Sequence, residues 1–293
     1  MGAEYLKGVT VSRPKNKLTR EDLFKLEPTC LRAFMRERTH HTIEVELYPI
    51  LLGRKKCPSV FGLEPELMWE VMEERGLLDG GDDLKWCKRY IDIAKDMRAG
   101  KKVDIGEPLP EPFTSEEMQV VKKLIKERKS VRDWLPGKKV PKELIEQILE
   151  AGRDAPLGCN LGVVRFIVID DAEEAKMCWS DIPTPMDSCT LIVICYDNRV
   201  YKTTGAVDMV AHNQEYDCAA AGDHMLLMAH ALGLGGVWLT STEKTRERFQ
   251  RLYGLPDYII PSMHIAVGYT AMGSIKSLRL PLKDMLITRD TFK

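Results

Sequence analysis

The chain has 293 residues, enough for one large domain or two smaller domains with their own cores. Hydrophobic residues make up 44% and charged residues 30%, and the formal net charge of −1 excludes a global basic field for nucleic acid or an anionic membrane. The longest uncharged apolar run, residues 225–239, is too short to cross a bilayer, and the first residues lack the apolar core of a signal peptide. We therefore expect a cytoplasmic protein without a nucleic-acid or membrane partner.

The first third of the chain predicts helices. Residues 21–36 and 64–77 carry apolar side chains at helical spacing, and residues 86–97 predict another helix. Three prolines between positions 108 and 112 cannot be helical and indicate a boundary. We divide the chain there into a mainly helical N-terminal extension, residues 1–112, and a second domain, residues 113–293.

The second domain mixes helices and strands. Thr114 and Glu117 have capping-box spacing ahead of an apolar stripe that ends at Arg128, and Pro141 begins the next helix. Strands are expected at residues 165–170, 189–196, 237–239 and 263–269, and further helices at 215–232 and 243–253. The elements do not alternate strictly as βαβ units, so an α+β fold is expected.

Cysteine and histidine positions do not indicate a metal site. The eight cysteines (30, 57, 87, 159, 178, 189, 195 and 218) lack ligand spacing and are expected to be mostly buried thiols. His40 and Glu44 would share a face if their segment were helical. Residues 41–47 alternate like a strand, however, so a surface patch is favoured over a metal cluster.

A cluster of basic residues ends the first helix of the second domain. Arg128, Ser130 and Arg132 place two guanidinium groups and a hydroxyl within five residues. Such a group can bind a phosphate and a second anionic or carbonyl group, and it can equally be a solvated helix end. The choice depends on what the later segments add.

Three later segments complete a recognisable order. Residues 155–160 (APLGCN) precede a strand, residues 232–238 (LGLGGVW) enter a strand, and residues 277–282 (SLRLPL) follow the last strand. With the cluster at residues 128–132, these segments resemble the nitroreductase family over about residues 116–286. The resemblance implies an α+β fold with a mixed or antiparallel sheet flanked by helices, and a homodimer with two FMN sites at the subunit interface.

The resemblance also implies roles for individual residues. Arg128 and Arg279 would bind the FMN phosphate, and Ser130 and Arg132 would face the pyrimidine edge of the flavin. Asn160 would bind the same edge with its amide, and Pro156 and Leu157 would contribute backbone contacts. Gly235 and Gly236 would let the main chain approach the ring, although they can also be read as a helix cap. No side chain is assigned as essential for catalysis.

The chain departs from the family pattern in one loop and at its N-terminus. The family has approximately A-P-S-x-x-N-x-Q-P, where this chain has Leu157, Gly162 and Val163 in place of the Ser, Gln and Pro. Cys159 in the same loop is either redox-active or a packed thiol. On the long helix, Asp217, Asp223, His224 and His230 are either proton donors or interface groups. The N-terminal extension is a second departure.

Taken together, these features predict an FMN-dependent oxidoreductase. It would transfer hydride or electrons between a donor, NADH or NADPH by resemblance, and a small organic substrate stacked on the flavin. One alternative is a specialised flavin-dependent dehydrogenase or a flavin-degrading enzyme. The other is a non-catalytic protein that binds a flavin or a partner through its N-terminal extension.

Overall fold

The computed structural model describes residues 4–13, 15–178, 188–205, 210–270, 272–287 and 289. Its centre is a four-stranded antiparallel sheet of β3 (Val164–Ile169), β4 (Thr190–Asp197), β5 (Gly235–Thr240) and β6 (Ile259–Gly268), in the order β3-β4-β6-β5. The expected α+β fold is confirmed, and all four expected strands are present with ends shifted by one to four residues.

Helices cover both faces of this sheet. Alternate side chains of β4 point to opposite faces, as the pleat requires. Ile192 and Ile194 pack with residues of α7 (Lys142–Arg153) and α10 (Asn213–Ala231). Leu191, Val193 and Cys195 pack on the other face, where Phe249 of α11 (Glu243–Tyr253) is buried. The central strand β4 is buried along its whole length, as its run of apolar residues predicts.

In the residues that the structure describes, the second domain has four further helices. They are α6 (Ser115–Glu127), α8 (Ala172–Cys178), α9 (Asn198–Thr204) and α12 (Leu282–Met285). Thr114 and Glu117 form the expected capping box at the start of α6. No helix in the described part of the chain has the length and apolar character needed to span a membrane.

The N-terminal extension is mainly helical, as expected. A short hairpin of β1 (Val11–Ser12) and β2 (Lys17–Leu18) precedes α1 (Arg20–Lys25), α2 (Pro28–Thr39), α3 (Val45–Leu51), α4 (Leu63–Glu74) and α5 (Asp82–Arg98). Residues 101–114 then run without regular structure to α6. The α2 helix packs against α9, and its Ala33 is buried in the same apolar cluster as Ile148 and Met225.

Two predictions for the extension are wrong. The single helix expected at residues 21–36 is split, because Pro28 begins α2 at its first turn and Glu27 before it is extended. The strand-like alternation of residues 41–47 does not give a strand. A π-helical turn, His40–Glu44, runs directly into α3, and burial of Ile43 and Leu47, four residues apart, overrides the local pattern. His40 Nδ1 lies 2.7 Å from Glu44 Oε2 on this turn.

Candidate active site

A cavity of about 270 Å³ lies where the C-terminal end of α6 meets the start of β5. Its lining includes Arg128, Lys129, His230, Gly235, Gly236 and Thr270. The α6 helix ends at Arg128, which serves as its C-cap residue, so the basic cluster leaves the helix beside this cavity.

A backbone bridge holds the basic cluster against β5. Ser130 pairs with Gly236, and the Val131 amide donates to the Gly236 carbonyl at 3.1 Å. A Cβ on Gly235 would lie 2.8 Å from the Cβ of Val131, and one on Gly236 would lie 2.7 Å from Cδ2 of Leu226. Gly235 is thus required for this close packing, and a side chain at position 236 would displace the end of the Leu226 side chain. The cap of α10 is a separate glycine, Gly233, with a φ of +77°.

Positive charge is concentrated around this cavity. Burial lowers the pKa of His230, and Arg128, Lys129 and Lys276 lower it further against the opposing effect of Glu127. Among the described residues, neither Arg128 nor Lys129 forms an ion pair. Cations grouped in this way repel one another and favour an anion between them, and a phosphate has the charge and acceptor oxygens to bind there.

The 156–163 loop has an unusual backbone held by a buried carboxyl group. Cys159 and Asn160 have φ values of 54° and 52°, which non-glycine residues seldom adopt. The Gly158 amide donates to Asp217 Oδ1 at 2.8 Å, and Tyr201 donates its hydroxyl to Oδ2 at 3.1 Å. Burial raises the pKa of Asp217, while these two hydrogen bonds oppose the rise.

Arg36 of the N-terminal extension holds the other side of the loop. Its Nε donates to the Asn160 carbonyl at 3.2 Å and its Nη2 to the Leu161 carbonyl at 2.7 Å. Its Nη1 donates to Asp83 Oδ2 at 2.7 Å. Gly162, where the family has Gln, has a φ of +61°, and a Cβ there would lie 2.6 Å from Arg36 Nη2. The departure from the family loop therefore makes room for the extension.

The structure brings only some of the predicted residues together. Arg128, Ser130, Gly235 and Gly236 meet at the cavity or its bridge. Arg132, two residues after Ser130, is exposed. The cavity lining does not include Pro156, Leu157 or Asn160. Arg279 is exposed in the C-terminal tail, where its Nη1 donates to the Ser277 carbonyl at 3.4 Å. The flavin-binding roles of all nine residues stay predictions.

Three residues at or near the site have no flavin-binding role in the sequence prediction. Lys129 lies inside the basic cluster, and its charge alone could have indicated a role. His230 is predicted only as a proton donor or an interface group. Arg36 carries no signal in the sequence, because nothing in a helix pattern shows which loop a helix will contact.

Comparisons with known proteins identify the family of the chain. Residues 125–269 match the model of the nitroreductase family. An NADH dehydrogenase/NAD(P)H nitroreductase of Methanothermobacter thermautotrophicus is 32% identical over 152 residues, covering 50% of this chain and 75% of the relative. One of Archaeoglobus fulgidus is 31% identical, covering 52% and 86%. A nitroreductase from Desulfovibrio desulfuricans, solved with FMN, is 29% identical with a TM-score of 0.50, covering 57% and 95%. The chain belongs to the nitroreductase family.

Proposed function

We propose that the chain is an FMN-dependent oxidoreductase that takes hydride from a reduced nicotinamide and passes electrons to a small organic substrate. Family membership supports the enzyme class and the cofactor. The nicotinamide is supported by the relatives described as NAD(P)H nitroreductases, and FMN by the neighbour solved with it. The single observation in this chain that carries the proposal is the cationic cavity between α6 and β5.

The residues at the cavity fit a phosphorylated flavin. Arg128 and Lys129 would bind its phosphate with charge-assisted hydrogen bonds. Ser130 and Arg132, further along the same segment, would lie toward the pyrimidine edge, where a cation stabilises negative charge. The bridge between Ser130 and Gly236 orients this segment. Bound FMN would supply the hydride chemistry itself, and the chain would supply position and charge.

We propose that a second copy of the chain completes the site. The α6 helix has no buried residue, and its Val120 is 67% exposed. In the C-terminal tail, Ile275 is 99% and Leu278 is 93% exposed. Apolar side chains that are this exposed favour burial in an interface with another protein chain. In a homodimer, the 156–163 loop and Arg279 would contribute to the flavin sites from outside the single-chain cavity.

We further propose that the boundary near residue 112 separates the family domain from an extension that acts on it. The irregular segment 101–114 and the start of the family match at residue 125 support the boundary. The contacts of Arg36 with the carbonyls of Asn160 and Leu161 support a role for the extension in shaping the active-site loop.

The purified protein tests the cofactor and the activity together. We expect a yellow protein with an FMN absorption spectrum, bleached by NADH or NADPH without oxygen. A colourless protein that cannot be reconstituted with FMN would contradict the proposal. Bound flavin that neither nicotinamide reduces would instead favour the non-catalytic alternative.

Arg128→Ala tests the phosphate assignment. Loss of a charge-assisted hydrogen bond is worth about 1.5–3 kcal/mol, so the Kd for FMN should rise about tenfold to a hundredfold. The matched control is Lys123→Ala, which removes one positive charge from an exposed position of α6. Fluorescence titration with FMN measures both. Equal affinities of the two variants would exclude the assignment.

A further inference from the structure

The N-terminal extension has a cavity of its own, which we call the aromatic cavity. It has a volume of about 180 Å³ and lies between α3, α5 and the irregular segment 101–114. All of its lining residues precede residue 108, so none belongs to the family match at residues 125–269 or to the cationic cavity between α6 and β5. The ligand of the aromatic cavity must therefore be inferred from its own side chains.

Three aromatic side chains line the aromatic cavity. They are Tyr48 of α3 and Trp86 and Tyr90 of α5. The rings of Trp86 and Tyr90 meet edge to face, with centroids 5.0 Å apart and planes at 60°. The Tyr90 hydroxyl donates to Glu44 Oε1 at 3.3 Å, which restrains the ring. Aromatic rings attract one another in edge-to-face and offset arrangements, so a third ring would gain contacts here beyond what burial alone provides.

The rest of the lining is aliphatic except at one end. Leu47, Ile93 and Ile105 contribute apolar side chains. Arg89 and Glu107 are the charged lining residues, and Arg89 Nη1 lies 2.6 Å from Glu107 Oε1. Because these two charges compensate each other, the lining has no net charge and favours a neutral ligand over an ion. The carboxylate can also accept a hydrogen bond from a ligand hydroxyl.

Arg89 also fixes the wall that the irregular segment supplies. Its Nη1 donates to Glu107, and its Nη2 donates to the Ile105 carbonyl at 2.5 Å. One guanidinium on α5 thereby holds two positions of a segment that has no regular structure. The Ile105 side chain packs against the buried cluster that contains Leu47 and Ile91. The aromatic cavity is thus closed on this side by a segment with a defined place in the fold.

The volume limits the ligand to one ring. A cavity of about 150 Å³ lined by apolar side chains can hold one benzene molecule, whereas drug-sized ligands need about 300 Å³ or more. The aromatic cavity, at about 180 Å³, therefore accommodates a single ring with one small substituent. A flavin or a nicotinamide dinucleotide is too large, so this cavity is not a second site for either.

We propose that the N-terminal extension binds a neutral, single-ring phenol in the aromatic cavity. The ring packs against Trp86 and Tyr90, and the hydroxyl lies at the end formed by Arg89 and Glu107. A phenol has a pKa of about 10 and is neutral at pH 7. The aromatic wall favours a ring, the paired charges disfavour an ion, and the volume excludes a second ring.

Fluorine NMR of the FMN-loaded protein labelled with 5-fluorotryptophan tests where phenol binds. The chain has five tryptophans, and Trp86→Phe identifies the resonance of Trp86. We expect phenol to shift that resonance in a saturable way with a Kd of about 1 mM or lower, because Trp86 lines the aromatic cavity. A Trp86 resonance that phenol leaves unchanged, whether or not another tryptophan responds, overturns the proposal.

Cyclohexanol and benzoate test the class of ligand in the same titration. Cyclohexanol keeps the hydroxyl and the approximate size of phenol but is not aromatic, and benzoate keeps the ring but is anionic at pH 7. We expect phenol to bind at least about fivefold more tightly than either compound. Cyclohexanol that binds as tightly as phenol overturns the aromatic assignment, and benzoate that binds as tightly overturns the preference for a neutral ligand.

Ile93→Phe fills the aromatic cavity, and Ile50→Phe is its matched control. Both isoleucines pack against the same buried cluster, but only Ile93 is a lining residue. We expect Ile93→Phe to weaken phenol binding at least about tenfold, because the new ring occupies the space of the ligand, and Ile50→Phe to change the Kd by less than about twofold. Unchanged binding in Ile93→Phe overturns the proposal.

Two features keep these results independent of other failures. Thermal unfolding shows whether Ile93→Phe is folded, and the Trp86 resonance of the otherwise unaltered chain decides the question if it is not. Every readout is phenol binding to the N-terminal extension, so it would not change if the flavin failed to accept hydride from a nicotinamide.

Discussion

Because Gly162 has no side chain, the guanidinium of Arg36 can occupy the space beside it. The φ of +61° and the 2.6 Å approach that a Cβ would make to Nη2 are two separate reasons for glycine at this position. In the sequence, Gly162 stands out only as a departure from the Gln of the family pattern. The partner that fills the space comes from 126 positions earlier in the chain, so no local pattern could reveal it.

Gly162→Ala should destabilise the protein by about 2–4 kcal/mol, combining the cost of a left-handed Ala with the overlap against Arg36. Gly76→Ala is the matched control, since Gly76 has a φ of +65° and a Cβ there would meet no atom within 4 Å. That variant should lose only about 1 kcal/mol. Urea unfolding measures both. Equal losses would show that Arg36 moves aside at no cost.

At the scale of elements, α2 and α5 are joined by charge. Asp83 accepts from Arg32 Nε at 2.8 Å and from Arg36 Nη1 at 2.7 Å, so one carboxylate on α5 binds two arginines of α2. The helices themselves follow from apolar spacing, whereas this junction does not. Pro28 and the turn after Thr39 also show that local patterns misjudge helix ends when proline chemistry or tertiary burial competes.

The junction between α2 and α5 should weaken in acid. Burial raises the pKa of Asp83, but the hydrogen bonds from Arg32 and Arg36 outweigh it and lower the pKa to about 2 from an ordinary value of 3.8. Because the folded value is depressed, the stabilisation is complete above pH 3.8 and is lost as pH falls toward 2. Asp83→Asn should therefore lower stability by about 1–3 kcal/mol at pH 6.

Thermal unfolding of the wild type and of Asp83→Asn across pH 2 to 6 tests this dependence. The difference in Tm between the two proteins should be largest near pH 6 and smallest near pH 2. A difference that is independent of pH would mean that the carboxylate charge does not matter at this junction.

At the scale of the whole molecule, the sequence predicts the fold class and the basic wall of the cavity. Runs of apolar and β-branched residues predict the strands. The resemblance to the nitroreductase family, and not residue spacing, implies that the basic cluster and the two glycines share one site. Strand order and the packing of the extension depend on contacts between distant segments, which residue spacing does not encode. For the same reason, residue spacing does not show that Arg128 lies at the cavity whereas Arg279 lies in an exposed tail.

Val120→Asp tests the homodimer at this scale. A charge in a buried apolar interface costs several kcal/mol, so this change on α6 should yield a monomer with an unaltered fold. Val60→Asp is the matched control, since Val60 is 65% exposed on the N-terminal extension. Analytical ultracentrifugation should find a wild-type-like dimer for Val60→Asp only. An unchanged dimer for Val120→Asp would place the interface elsewhere.

The contacts between Arg36 and the 156–163 loop have a consequence for protein engineering. A chimera that carried this loop without the extension would leave the Asn160 and Leu161 carbonyls without their guanidinium donor. One that joined the extension to a loop with a larger residue at position 162 would meet the steric overlap instead. Loop and extension are therefore a single module for transplantation, and a functional hybrid must exchange both or redesign the contact between them.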